Sequence, residues 1–342
     1  MKPARSKDIA RLYSEALAAR QAFVAYRLPD THAIRHLSGD ARRTLQDGES
    51  AFAFAPFDPS LKPYYIIQGA ASSKKNTPSQ IGGKLKSTSE KQFKTLVKGI
   101  IADISQGKFT KVVAARILAV ARPSSFDPVA LFERLCSTYQ SAFVSLTYIP
   151  GVGLWIGASP EVLVSESATT LSTYSLAGTK AIEDSSPWTP KEIAEQQIVT
   201  DFIHDKLRKT VSDQIKLKGP KTHEAGSIKH LLSVFRILHS GNSIWRDVAK
   251  ALHPTPAVSG MPQQKAVSFI TEQESFDRAF YAGYLGPVNQ NGKTNLFVNL
   301  RCVEVRGQQL VFYAGCGITA DSDPQKEWQE SVRKIDVLKS LI

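Results

Sequence analysis

The sequence predicts an α+β protein, and three features carry that expectation. Apolar runs separated by turn-length gaps recur from Phe143 to Ser175 and again from Tyr281 to Ala314, the pattern of consecutive antiparallel strands. Segments with helical spacing, roughly six to eight of them, are interspersed without the regular strand–helix alternation of a parallel sheet. With 42% hydrophobic positions among 342 residues there is material for a substantial core, and nothing between Phe93 and the C-terminus looks like a linker, so the reading is a single domain over 1–342.

In chain order, residues 7–20 have the spacing of a short helix, and Phe23 to Tyr26 is a strand ending at Pro29. Ala51 to Pro56 alternates with one aromatic face, and Tyr64 to Ile67 is another strand. Ser, Lys, Gly and Thr dominate at about 70–90, which predicts a mobile surface loop. Phe93, Leu96, Val97, Ile100, Ile101 and Ile104 mark a helix stopped by Gly107. Lys111 to Val120 is a strand, followed by a helix at about 128–139. Phe143 to Tyr148, Gly153 to Gly157, Glu161 to Ser165 and Thr169 to Ser175 read as antiparallel strands, the last broken by Leu176-Ala-Gly-Thr179 before a helix containing Glu192.

Ile228 to Leu238 fits either period, Ile244 to Leu252 is helical up to Pro254, and Pro262 to Glu272 is a further helix. Tyr281 to Pro287, Thr294 to Val305 and Gln309 to Ala314 return to strand. The last strand breaks at Gly315 and Gly317 into a loop of exposed backbone N–H groups. It turns through Asp321-Ser-Asp-Pro324 and ends as a helix with Trp328, Val332, Ile335 and Leu338 on its apolar side.

Composition narrows the function. No apolar run approaches the roughly 18 residues of a membrane span, and the charged N-terminus does not resemble a secretory signal. Three cysteines, Cys136, Cys302 and Cys316, form no metal spacing and fit a reducing cytoplasm. The net charge of +12 is scattered apart from Lys74, Lys75, Lys84, Lys86 and Lys91 and the stretch from Lys206 to Lys221. No nucleic-acid signature accompanies it, and a positive field equally suits a small anionic substrate. Dinucleotide, P-loop and nucleophile-elbow strings are absent.

The acidic residues of two helices carry the sharper signal. Glu327 and Glu330 stand three apart, with Lys334 four residues beyond Glu330, so all three share one face. Alone that is a solvated face with one weak salt bridge. Glu192 and Glu195 repeat the step on another helix, and two such faces can oppose across one divalent cation. Oxygen-only donors point to magnesium, which keeps much of its water.

Lys111 opens a strand after a turn. It is either an ordinary strand-end lysine or, if buried, a general base. Glu161 is an exposed strand-end carboxylate or, shielded from water, an acid that holds its proton well above the usual pKa of about 4.3. Arg301 lies in an apolar strand and needs an anionic partner, either a carboxylate ligand or an internal one. Gly315 and Gly317 serve a tight turn or let a ligand reach the backbone. His253 is a turn partner or a substrate contact, Tyr281 is core or a ligand contact, and Cys316 is packing.

Taken together, these blocks resemble the chorismate-utilising enzymes, and within them isochorismate synthase. The resemblance rests on Lys111-Val-Val-Ala-Ala-Arg116, Gly157-Ala-Ser-Pro-Glu161, Leu176-Ala-Gly-Thr179, Lys191-Glu-x-x-Glu195, His253-Pro-Thr-Pro-Ala-Val258, Tyr281-Ala-Gly283, Ala314-Gly-Cys-Gly-Ile318 and Asp321-Ser-Asp-Pro-x-x-Glu-Trp-Gln-Glu330. Residues 1–90 match only loosely.

The resemblance implies two large antiparallel sheets packed face to face with helices outside, in a monomeric cytoplasmic enzyme with no membrane or nucleic-acid partner. It further implies magnesium held directly by Glu195 and Glu330 and through water by Glu192 and Glu327. Arg301, Lys334 and Gly315 would receive the enolpyruvyl carboxylate of chorismate, and Gly178, His253 and Tyr281 would line its ring. Lys111 would be the general base for water attack at C2, and Glu161 the general acid for departure of the C4 hydroxyl.

The product would be isochorismate for menaquinone or siderophore biosynthesis. The rival readings are a salicylate synthase and a non-catalytic chorismate-fold binding protein. Lys111 favours water over ammonia as the nucleophile, and Ala177 stands where aminodeoxychorismate synthases carry lysine. One departure from the pattern is Gln196, where relatives place histidine, and it predicts an adjustment around the metal.

Overall fold

In the computed structural model, which describes residues 6–69, 83–211, 215–225 and 228–342, strands hydrogen-bond into one continuous antiparallel sheet. They are β1 (Ala22–Arg27), β2 (Ile34–Arg42), β3 (Ala51–Ala55), β4 (Tyr64–Gln68), β5 (Lys111–Ala121), β6 (Phe143–Ile149), β7 (Gly153–Ser159) and β8 (Val162–Glu166). There follow β9 (Thr170–Ala181), β10 (Ile215–Ala225), β11 (Ile228–Leu238), β12 (Gly260–Met261), β13 (Tyr284–Val288), β14 (Thr294–Val298), β15 (Cys302–Arg306) and β16 (Gln309–Ile318). Their order is β10-β11-β9-β8-β14-β13-β3-β4-β2-β1-β6-β7-β15-β16-β5-β12.

The two expected layers are the two halves of this sheet, folded back on each other. Phe143 of β6 and Phe297 of β14 are not on neighbouring strands, yet their rings stack 4.2 Å apart. Phe54 of β3 likewise meets Trp155 of β7 at 6.4 Å. The corner is β2, whose first part pairs with β1 and whose last residues pair with β4, Gly39 serving both. Each fully buried aromatic in this interior contributes about 1.5–3 kcal/mol.

Helices cover the outer faces: α1 (Ser6–Ala18), α2 (Glu90–Ser105), α3 (Pro128–Thr138), α4 (Pro190–Thr210), α5 (Trp245–Leu252), α6 (Gln263–Gln273) and α7 (Pro324–Lys339). Ile9 and Tyr13 of α1, Leu131, Phe132 and Leu135 of α3, and Ile335 and Leu338 of α7 share a second core with Val144, Leu146, Ile156 and Phe312. Both faces of β6 are therefore buried, including the small polar residues Ser145 and Thr147. No described helix is long and apolar enough to cross a membrane.

Several boundaries differ from the sequence expectation. The strand does not break at Gly315 and Gly317: β16 continues to Ile318, with Gly315 opposite Ala115 and Gly317 opposite Val113. Those N–H groups are therefore not in a loop. The glycines answer close approach instead, since a Cβ on Gly317 would lie 2.6 Å from Glu195 Oε1 and one on Gly315 2.9 Å from the Tyr281 hydroxyl. Similarly, β9 runs through Leu176–Thr179, Gly178 taking φ 67° where the pairing with β11 shifts register.

The single strand expected from Thr294 to Val305 is two, parted at Asn299–Arg301, where Arg301 adopts φ 47°. Tyr281 lies just ahead of β13. Three strands had no expectation, the polar corner β2, the lysine-rich edge β10 and the two-residue edge β12, and the ambiguous Ile228–Leu238 is β11. Of the loop expected at about 70–90, residues 70–82 lie outside the described residues. Its end is fastened, with Leu85 exchanging hydrogen bonds with the Gln309 amide at 2.9 and 3.0 Å.

Candidate active site

Two helix starts and the ends of three strands converge here. Helix α4 begins with a capping box: the Thr189 hydroxyl accepts from Glu192 N, and Glu192 Oε2 accepts from Thr189 N at 2.7 Å. Helix α7 begins at Pro324 after Asp323, whose carboxylate accepts from Lys326 N at 2.8 Å. These caps fix the first turns, which hold Glu192 and Glu327, and Glu195 and Glu330 follow one turn later on the same faces.

Lys111, the first residue of β5, has a side chain only 1% exposed, and its Nζ donates to Glu195 Oε1 at 2.8 Å. An ammonium so buried requires such a partner. Glu161 is buried just before β8. Burial pushes its carboxyl up to about 7, against the pull of the Lys111 and Lys334 ammoniums. Amine and carboxylic acid thus share one dry region, with Glu161 protonated at neutral pH to a substantial extent.

Lys334 of α7 donates from Nζ to the Gly315 carbonyl at 2.9 Å and pairs with Glu330 Oε1 at 2.7 Å. Burial works to lower its pKa, but Glu330 and Cys316 outweigh it and the side chain remains a cation. Tyr281 joins this group through Gly315, and its ring stacks on Tyr313 at 5.2 Å. Arg301 has no ion pair among the described residues, and burial depresses its pKa while Tyr139 opposes this. A guanidinium held this way suits an anionic ligand.

Two residues that the sequence did not single out belong here. His230 of β11 lies with its Nδ1 2.9 Å from the Gly178 carbonyl. Burial lowers its pKa to about 4 despite that bond, with the Arg301 and Lys334 charges assisting, so its ring is neutral. Since Gly178 O only accepts, Nδ1 carries the proton. Lys180 is also buried, donating to Pro187 O at 2.7 Å with its Nζ 3.5 Å from Glu192 Oε2. The strand pairing of β9 and β11 brings both residues in, and no local sequence pattern announces it.

Other expectations meet different surroundings. Gln196 does not face the glutamates: its amide nitrogen donates to Ser175 O at 3.0 Å and Ser233 Oγ at 3.2 Å, tying α4 to the sheet. The expected adjustment around a metal is corrected accordingly, because the residue after Glu195 on a helix points about 100° away from it. His253 sits with Nε2 2.9 Å from Pro56 O and edge-on to Tyr284, and burial lowers its pKa to about 4. Those contacts belong to the turn. Glu192 spends one oxygen on the cap and on Lys180.

The donors suit a divalent cation. A carboxylate oxygen of Glu327, one of Glu330 and Cys316 Sγ lie within 4.8 Å of one another, and Glu195 is not in that group. Glu195 and Glu330 each turn an oxygen to an ammonium, Lys111 and Lys334 respectively, so both already face positive charge. Hard oxygen donors of this kind would suit magnesium, and the thiol is an addition to that set.

Comparison with known proteins gives one family. The description "Chorismate binding enzyme" matches residues 65–342. The vibriobactin-specific isochorismate synthase of Vibrio cholerae serotype O1 is 26% identical over 323 residues, covering 89% of this chain and 82% of that protein. The salicylate biosynthesis isochorismate synthase of Pseudomonas aeruginosa is 30% identical over 277 residues, covering 76% of this chain, which spans 56% of that protein's length. Among solved structures, the menaquinone-specific isochorismate synthase MenF from Escherichia coli aligns with a TM-score of 0.78 at 20% identity, covering 95% of this chain and 90% of its own. That likeness establishes the fold.

Proposed function

Since the chain belongs to the family of chorismate binding enzymes, we propose that it is an isochorismate synthase, moving a hydroxyl from C4 to C2 of chorismate. The observation that carries this reading is Glu161, a buried carboxyl whose pKa stands at about 7 near the buried amine of Lys111. Water attack at C2 needs a base and hydroxyl departure from C4 needs an acid, and these are the two groups.

Once its ammonium has given up a proton to solvent, the free amine of Lys111 takes a proton from the attacking water as the new C2–O bond forms. The two ring double bonds shift toward C4, and the C4–O bond breaks as Glu161 delivers its proton to the leaving hydroxyl. Lys334 and Arg301 bind the enolpyruvyl carboxylate, and Tyr281 and Gly178 flank the ring. His253, by its contacts with Pro56 and Tyr284, shapes the wall behind.

Glu195 and Glu330 would hold magnesium directly, with Glu192 and Glu327 on its waters. Bound there, magnesium supplies charge neutralisation for the ring carboxylate of the substrate. Menaquinone or siderophore biosynthesis would consume the product.

Purified protein incubated with chorismate and magnesium, with and without a chelator, tests the reading by product chromatography. Isochorismate formed only with the metal is the expected result. Free pyruvate would reassign the protein as a salicylate synthase, and chorismate binding without turnover would make it a non-catalytic member of the family.

A further inference from the structure

Two residues past Gly178, Lys180 brings a third ammonium to the glutamates of the site, beside those of Lys111 and Lys334. Its side chain is 6% exposed, and its Nζ donates to Pro187 O at 2.7 Å and to Ser186 Oγ at 3.0 Å. The Trp188 ring lies 5.3 Å from the same nitrogen. Two carboxylates are within reach. Asp184 Oδ2 stands 4.0 Å away on a side chain 41% exposed, and Glu192 Oε2 stands 3.5 Å away on one 17% exposed. A buried ammonium needs a carboxylate that water does not screen, so Glu192 is its principal partner.

Glu192 is held from three directions, and all three contacts fall on Oε2. The N–H and the hydroxyl of Thr189 donate to it at 2.7 and 3.0 Å, besides the Lys180 contact. Thr189 is exposed, so water can replace its two bonds, whereas the contact to buried Lys180 has no such substitute. The stem of the same side chain packs close to Gly178, where an added Cβ would lie 3.4 Å from Glu192 Cβ and 3.6 Å from Trp188 Cζ3. With the stem fixed and Oε2 engaged, Oε1 is the oxygen left for water or a metal.

We propose that Lys180 is a positioning residue which, by engaging Oε2, keeps Glu192 on the waters of the magnesium and out of its direct coordination. Magnesium is octahedral and takes few protein carboxylates directly, so a third glutamate on the ion would occupy the place that the substrate carboxylate needs. A cation 3.5 Å from Glu192 also weakens the field that draws magnesium in. Lys180 therefore lowers the affinity of the site for the metal and keeps a position on it open. The inference rests on the proposed function for the metal and for Glu195 and Glu330 as its direct ligands.

Calorimetric titration with magnesium, in the absence of chorismate, tests this on the parent, Lys180→Met and Lys180→Arg. Lys180→Met should bind magnesium at least about fivefold more tightly, and Lys180→Arg, which keeps the charge, should stay within about twofold of the parent. In turnover assays Lys180→Met should raise the KM for chorismate about tenfold, because the extra carboxylate occupies the substrate's position. A merely structural role would weaken magnesium and chorismate together, so the opposite movement of the two constants is what distinguishes positioning. Lys180→Gln is the second neutral variant should methionine fail to fold. Equal or weaker magnesium binding in the neutral variants, or tightening in Lys180→Arg as well, overturns the proposal and leaves the proposed function intact. A parent that binds no magnesium overturns both. A product other than isochorismate, with the magnesium affinities as expected, overturns only the proposed function.

Discussion

Lys111 Nζ lies 2.8 Å from Glu195 Oε1, and the two ends of that pair differ in exposure, 1% for the lysine side chain and 19% for the glutamate. The pair is therefore asymmetric. Glu195→Ala strands an ammonium in a dry interior and should cost about 3–5 kcal/mol. Lys111→Met leaves a carboxylate that water can reach and replaces a buried stem by one of similar volume, so it should cost no more than about 1.5 kcal/mol. Denaturant unfolding of the two variants checks the order, and the reverse order would mean that Lys111 is solvated in solution. Both variants should lose turnover.

Glu161 couples chemistry to stability. Burial disfavours the anion and pushes its carboxyl up to about 7 in the folded chain, from about 4.5 for the free side chain. Below pH 4.5 both folded and unfolded chains carry the proton. Between 4.5 and about 7 the unfolded chain ionises first, so stability falls across that window, by about 3 kcal/mol in all. Glu161→Gln should match the parent at pH 4 and exceed it in stability at pH 8, while losing catalysis. In the unmodified enzyme kcat/KM should decline as pH rises through about 7, where the acid loses its proton. A variant no more stable than the parent at pH 8 would contradict the burial argument.

Gly317 tests how closely α4 and β5 approach each other at the proposed site. An added methyl would sit 2.6 Å from Glu195 Oε1 and 2.9 Å from Lys111 Cε. Gly317 is not among the residues of positive φ, so alanine brings no backbone strain. Gly317→Ala should fold with its melting temperature little changed and turn over about 10²-fold more slowly, since displacements near 1 Å at a reacting group have that effect. Unchanged turnover would show that Glu195 and Lys111 act elsewhere than over this glycine.

How far the sequence speaks for itself varies from residue to residue. The apolar period placed the seven helices of the described residues to within a few residues, except that α4 continues to Thr210. Lys111 and Glu161 stand out in the sequence because each sits at or just before a strand start beside a turn, and the burial of both is what the local sequence left open. Gly315 and Gly317 misled, since glycine marks either a break or a close approach and only the Glu195 and Tyr281 side chains tell which. The Thr189-Pro-Lys-Glu192 capping box is a readable sequence signal, and it makes Glu192 part of the helix start as well as of the acidic step. His230 and Lys180 enter through pairing of β9 with β11, a long-range event that local spacing does not encode.

Three segments that line the site are held together by one buried ion pair outside the reacting groups. Arg278 donates to Glu274 through Nε at 2.8 Å and Nη2 at 2.6 Å, to Val258 O at 2.8 Å and to Val113 O at 2.8 Å. Glu274 Oε1 in turn accepts from Ala115 N at 2.8 Å. The strand carrying Lys111, the turn after His253 and the approach to Tyr281 are all registered by this pair. Arg278→Gln leaves a carboxylate with a 2% exposed side chain unpaired and should cost about 3–5 kcal/mol.

Glu274→Gln should be similarly costly, and the double variant should cost less than the sum by about 1–3 kcal/mol, because the two losses share one interaction. Measured at a temperature where all three variants remain folded, kcat should fall more than KM rises, as expected when groups used in the transition state lose their alignment. Strict additivity of the two stability losses would mean that each residue acts through its backbone partners alone, and an unaltered kcat in Arg278→Gln would remove the pair from any role in aligning the site.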